Sequence, residues 1–418
     1  MTLSSDSAVP AKAGEWDPSY EWKVVTLMAL GMGLTGVDRF LIAPMMPVLQ
    51  KALHLDYQDL GYITGALALA MGAAALFTGN LADKIGFRAV VIPAMILFSM
   101  LTGVSGLAVG VTSMVAVRAL MGFAEGAFVP ASIIAIIDAS KPSRHGFNIG
   151  IQQTMPALLG LGLTPIAVTQ LLKIMDWRWI FLLVAIPGLA VALLSARVLR
   201  KPSARAFKEH SVVPGLEAHV WHHALRYRNV PLAMLSMLCW LSCNIVIAAL
   251  FPSYLTDHLG LNLQQMGFVL SALGFGGALG SLTVPLLSDQ LGRKPVMLLA
   301  VVAALAALCA LVHTGPNVPA LFGLLGLVSG LVLSLMALTI GPVSAAAVPA
   351  ELMSTASGLV IGIGEIFGGG VAPSLAGFGA KHFGIGCAPY IPIGALCCGL
   401  VVVALLKETT LRRVRHRA

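Results

Sequence analysis

The chain is poor in charge. Only 11% of its 418 residues are Asp, Glu, Lys or Arg, while 58% are hydrophobic and the mean hydropathy is +0.90. Soluble domains carry about 25% charged residues, so this composition leaves too few polar side chains to cover a water-exposed surface. Cysteine is also scarce. The six (239, 243, 309, 387, 397 and 398) fall in or at the edges of apolar runs, where Cys acts as a small hydrophobe and no disulfide framework is expected. Cys239 and Cys243 have no His or carboxylate at ligand spacing, and the run His219, His222, His223 has no acidic or Cys partner. Neither reads as a metal site. A nucleophile elbow, a His/Asp/Glu metal cluster and a sizeable hydrophilic domain are all missing, which argues against a membrane enzyme or a sensor. The first apolar run follows Glu15, Asp17 and Glu21, lacks a small-residue cleavage site, and is too long for a signal-peptide core, so it reads as a retained helix.

What the chain has instead is long apolar runs. A bilayer core needs about 20 apolar residues per helix, and twelve runs qualify: 24–47, 60–79, 89–110, 112–137, 147–170, 178–198, 230–256, 266–287, 295–313, 319–342, 355–379 and 386–406. The predicted class is an all-α integral membrane protein with twelve transmembrane helices. Positive charge sets the orientation. Of the 26 Lys and Arg residues, 20 fall in the N-terminus, the even-numbered loops and the C-terminus. Lys51, Lys173, Arg178 and Lys381 lie on the other side, and Arg39 and Arg118 lie inside spans. Both termini are therefore expected in the cytoplasm, and the net charge of +8 reflects this asymmetry and not nucleic-acid binding.

The organisation reads as an N-terminus (1–23), six spans (24–198), a central cytoplasmic loop (199–229), six more spans (230–406) and a basic tail (407–418). In the second half of the loop, Trp221 and Leu225 among His and Arg residues suggest a short interfacial amphipathic helix. The halves also repeat. Leu81-x-Asp83-x-x-Gly86 after span two returns as Leu287-x-Asp289-x-x-Gly292 after span eight, 206 residues later. Each copy describes a tight turn in which Gly permits close backbone approach, and Asp with the following Arg88 or Arg293 can pair or cap helix ends.

With "GNLADKIGFR" and "LSDQLGRK" in these positions, the chain resembles the major facilitator superfamily over essentially its whole length. The resemblance implies two pseudo-symmetric six-helix bundles that rock about a midplane site, with Asp83, Gly86, Arg88, Asp289, Gly292 and Arg293 latching the bundles in the outward-facing state. A bacterial inner membrane is the expected location and a monomer the expected form.

Four charges inside spans narrow the reading. Asp38 and Arg39 interrupt the first run, and Arg118 and Glu125 lie in the fourth. Seven residues are nearly two turns, so Arg118 and Glu125 share a face about 10 Å apart along the axis. Asp38 and Arg39, about 100° apart, point in different directions. A helix-centre charge costs about 2.5–3.5 kcal/mol on insertion scales, which makes such residues functional candidates. The plainer alternative is a static network locking spans one and four, although Gly and Ala suffice for structural contacts. This combination is similar to the anion:cation symporter family, which carries sugar acids and other organic carboxylates with protons. The likeness implies Asp38 and Glu125 as proton sites and Arg39 and Arg118 as anion ligands, with the proton gradient as the energy source and no cofactor. Arginine suits the task because its fork binds both oxygens of a carboxylate. Span five lacks the "G-P-x-x-G-G" pattern of proton-antiporting drug exporters, which favours uptake. An exporter or antiporter of a small organic solute is the alternative. Span one lacks the "D-G-F/Y-D" pattern of the aromatic-acid symporters.

Further pocket candidates are Gln152 and Gln153 on span five, Asn244 and Tyr254 on span seven, Ser271 on span eight and Glu365 on span eleven. An interhelical hydrogen bond competes with ligand contact at each. The glycines around Glu365, and Gly276-x-x-x-Gly280, read as close helix packing; no strand precedes them to make a phosphate loop.

Overall fold

The computed structural model describes residues 16–200, 220–344, 347–349 and 352–408; the side chains of 75–84, 220, 221, 342 and 354 lie outside the described residues. The chain is all-helical. The first half comprises Pro18–Leu53, broken by a 3-10 turn at Ala43–Met45, then Tyr57–Ile85, Phe87–Ser105, Val111–Ala139, His145–Leu171 with a π-helical middle at Pro156–Leu163, and Trp177–Val198. The short helix Val220–Leu225 precedes the second half. Six spans follow: Asn229–His258, Leu263–Leu291, Arg293–His313, Val318–Val343, Met353–Phe383 and Ile385–Leu405. Among the described residues eleven helices are long and apolar enough to cross a membrane, and Tyr57–Ile85 is a further helix of 29 residues.

Polar caps and glycines set the ends. Asp17 accepts from the Ser19 and Tyr20 N–H groups, Asn262 forms a capping box with Gln265, and Asn317 accepts from Ala320 N–H. These bonds satisfy donors that a helix start leaves unpaired. The two Asp-x-x-Gly turns share a backbone geometry, with Gly86 at φ 88° and Gly292 at φ 97°, a region a side chain disfavours.

Lipid supplies no hydrophobic drive between helices, so close approach of small residues holds them together. The halves use the same device at corresponding places. Gly122 and Gly126 of span four lie against the backbone of Leu67 and Met71 of span two, and Gly276 and Gly280 of span eight against Gly326 and Gly330 of span ten.

The apolar cores differ. One, from Val24 to Leu199, belongs to the first half alone. The other fills the second half and crosses into the first through Phe40–Ile63, Ala108, Met114, Val168 and Trp177. Those residues lie toward the ends of the first-half helices away from the termini. On that face the halves are sealed together; the face carrying the termini is called the terminal face below.

Candidate functional site

At mid-depth the structure gathers Asp38, Arg39, Arg118, Glu125 and Glu365, five charges from spans one, four and eleven. As the helical geometry requires, the adjacent Asp38 and Arg39 diverge. Asp38, 3% exposed, stays within the first half, where Arg118 Nη1 donates to its backbone carbonyl at 2.5 Å. Arg39 reaches across to the second half. Its Nη2 donates to Glu365 Oε2 at 2.8 Å and its Nη1 to Oε1 at 3.3 Å, a two-pronged pair beside Met71 Sδ at 3.8 Å.

Arg118 and Glu125 are each 1% exposed. Arg118 Nε and Nη2 and Glu125 Oε1 have no hydrogen-bond partner among the described residues. Buried polar atoms are ordinarily paired, so these are poised for a proton, a water or a ligand. The fields of Asp38, Arg39, Arg118 and Glu365 all reach Glu125, which makes the five groups one electrostatic unit. Span eleven is π-helical at Gly364–Val371, where Glu365 sits, and π turns gather at functional sites.

The other candidates make no hydrogen bond to these five charges among the described residues. Gln152 is fully buried and donates to Ser132 Oγ at 2.7 Å, while its Oε1 is unpartnered among the described residues; Gln153 is exposed. Asn244 is 7% exposed and lies in the middle of span seven. Tyr254 lies ten residues further on, about 15 Å along the axis, with ring centroids 5.3 Å from Phe251 and 5.1 Å from His258. It belongs to the layer sealing the far face. Ser271 donates to Phe268 O at 2.6 Å within its own helix.

The sealed face has polar links that the sequence did not single out. Tyr57 donates to Asp257 Oδ2 at 2.9 Å, Ser253 to Gln50 Oε1 at 3.0 Å, and Lys381 Nζ sits 2.7 Å from Asp56 Oδ2. Glycines admit the backbones there: Gly61 lies against Pro373, Gly65 against Gly370, and Gly274 against Gly162. Of the expected latch on the terminal face, Asp83 has its side chain outside the described residues. Arg88 donates to Ala196 O at 2.7 Å within the first half, Asp289 is exposed, and the Arg293 N–H donates to Glu408 Oε1 at 3.2 Å. Among the described residues no group of His, Cys, Asp and Glu could hold a metal ion.

Two helical halves joined on one face, with buried charge between them at mid-depth, have the architecture of a secondary transporter. Residues 28–360 and, overlapping, 232–417 match the Major Facilitator Superfamily, and the chain belongs to it: it is a multi-pass membrane transporter and not an enzyme. Among curated relatives, the 4-hydroxybenzoate transporter PcaK of Pseudomonas aeruginosa is 24% identical over 93% of this chain and 94% of its own length. The hexuronate transporter of Bacillus subtilis is 22% identical over 65% of each. Among solved structures, a mutant form of the nucleoside transporter NupG superposes with a TM-score of 0.79 at 14% identity, over 93% of this chain and 100% of that one.

Proposed function

We propose that this transporter is a symporter importing a small organic carboxylate with protons. The observation that carries the reading is the charge unit itself: two arginines and three carboxylates between two mobile halves, with donor nitrogens of Arg118 and one oxygen of Glu125 unpartnered among the described residues. Arg39 and Arg118 serve the substrate carboxylate, and Asp38 and Glu125 carry protons. Charge balance supports the pairing. A bound monoanion adds a fourth negative charge to two positive ones, and protons on Asp38 and Glu125 restore neutrality in a low-dielectric site. Two protons with one monoanion move net positive charge inward, which the membrane potential assists by about 2.3 kcal/mol per charge per 100 mV. Two of the relatives are named for 4-hydroxybenzoate and hexuronate, both carboxylates, which supports the substrate class. Gln153 and Asn244 are further pocket contacts in this reading. With both termini cytoplasmic, the sealed far face supports an inward-facing state, in which the proposed latch residue Asp289 is exposed.

The test is uptake into liposomes with an imposed pH gradient, using radiolabelled 4-hydroxybenzoate and glucuronate. Accumulation driven by an acidic exterior, and abolished by a protonophore, is expected. Accumulation only with an acidic lumen would establish exchange in the opposite direction and overturn symport.

A further inference from the structure

Arg39 and Glu365 stand apart from the other buried charges in three ways. Their bond joins the halves, whereas Asp38, Arg118 and Glu125 all belong to the first half. They are reachable, with side chains 14% and 12% exposed, against 1% for Arg118 and Glu125. The pair is also two-pronged, at 2.8 and 3.3 Å, the arrangement a guanidinium offers to a free carboxylate.

The surroundings are cut to fit it. A Cβ on Gly369 would lie 2.9 Å from Glu365 Oε2, 3.1 Å from Ala68 Cβ and 3.4 Å from Arg39 Nη2. One on Gly72 would press on Glu365 Cβ at 3.4 Å and Ile366 Cγ1 at 3.1 Å. Two glycines on facing helices thus leave room for one ion pair. Glu365 sits where the π-helical stretch Gly364–Val371 begins, and such departures from the regular ladder are frequent at functional sites.

We propose that Glu365 is a tethered occupant of the anion site, holding Arg39 where a substrate carboxylate would bind, and that substrate enters by displacing it. Displacement releases span eleven from span one, so occupancy and the link between halves are mutually exclusive. The inference rests on the reading of Arg39 as an anion ligand. It also favours a cargo that presents two oxygens to the fork that Glu365 now fills, as a carboxylate does. No covalent step is involved; one carboxylate replaces another on the same guanidinium.

Purified wild type, Glu365→Gln and Gly369→Ala are titrated calorimetrically with 4-hydroxybenzoate and glucuronate, and hydrogen–deuterium exchange is followed by mass spectrometry. Removing a competitor that occupies Arg39 nine-tenths of the time tightens binding about tenfold, and both variants are expected to bind more tightly. Without ligand, both should exchange several-fold faster than wild type in peptides covering 57–72 and 364–383, and saturating ligand should bring wild type to the same rates. Weaker binding by Glu365→Gln, or ligand-free exchange equal to wild type, overturns the proposal. If neither compound binds any of the three proteins, the carboxylate class proposed above fails, and ligand-free exchange alone decides: faster in both variants supports the lock, unchanged overturns it.

Discussion

The two halves share a scaffold but not a chemistry. Each presses a pair of glycines four residues apart against a partner helix, Gly122 and Gly126 in the first, Gly276 and Gly280 in the second, and each turns on a positive-φ glycine. Of the five charges at the centre, four belong to the first half, and the second supplies Glu365 alone, already bound to Arg39. Duplication of a packing plan therefore leaves the site free to become one-sided. The first half holds the ionisable machinery, and the second reports on it through one bond.

The largest effect is expected from breaking the first half's chemistry. If Asp38 and Glu125 each carry a proton, every pH unit of gradient contributes about tenfold to accumulation per coupled proton. Glu125→Gln should lower steady-state accumulation about tenfold per pH unit in liposomes, and the double replacement with Asp38→Asn about 100-fold. Counterflow, which moves no net proton, reports whether the carrier remains folded and able to turn over. Accumulation equal to wild type would remove Glu125 from coupling.

The shared scaffold makes the opposite prediction, equality. Gly122→Leu and Gly276→Leu each force a branched side chain into a neighbouring backbone, and overpacking of this kind costs about 1–3 kcal/mol or more. Both should lower the melting temperature in detergent by several degrees and by similar amounts. A large drop from only one would show that the halves do not share their packing.

How legible this was in the sequence depends on what fixes each feature. Hydropathy marks the twelve spans because a bilayer admits little else, and the helices extend each predicted run by only a few residues at most ends. The first three runs depart most: the first helix starts six residues earlier and continues past the Ala43–Met45 turn to Leu53, because Asp17 caps one end and amphipathic turns can continue beyond the apolar stretch, the second continues six residues to Ile85, and the third stops at Ser105, five residues short. The buried charges were visible because each is costly there, and the divergence of Asp38 from Arg39 followed from helix geometry. Partner choice was not visible. That Glu365 meets Arg39 depends on how spans one and eleven are rotated and on a π stretch whose composition gives no sign of it. Tyr57, Asp56, Asp257 and Lys381 give no such signal, because polar residues at span ends are ordinary and nothing in their types shows that they face one another.

The seal on the far face offers smaller effects. Tyr57→Phe removes the bond to Asp257 and keeps the ring. A hydrogen bond to a carboxylate contributes about 1.5–3 kcal/mol when shielded and less at an exposed position such as this one, so the sealed state should lose a few-fold in population, read as faster exchange in the peptide covering 50–62. No change would mean that the apolar layer around Tyr254 seals the face unaided.

The smallest effect concerns Asp56 and Lys381, both about two-fifths exposed. Partial burial of Asp56 works against its charge, but Lys381 and the Asp59 N–H, which donates to Oδ1 at 2.9 Å, outweigh it and hold the carboxyl below the ordinary 3.8. A lowered carboxyl contributes above its ordinary value and loses the contribution only as pH falls through the lowered one. Acidification from pH 7 to 5 should therefore leave this link intact, while Asp56→Asn removes it throughout. An exposed pair is worth at most about 1 kcal/mol, so exchange near residues 381–383 should rise by less than about fivefold in the variant. If wild type loosened there between pH 7 and 5, a group other than Asp56 would control the seal.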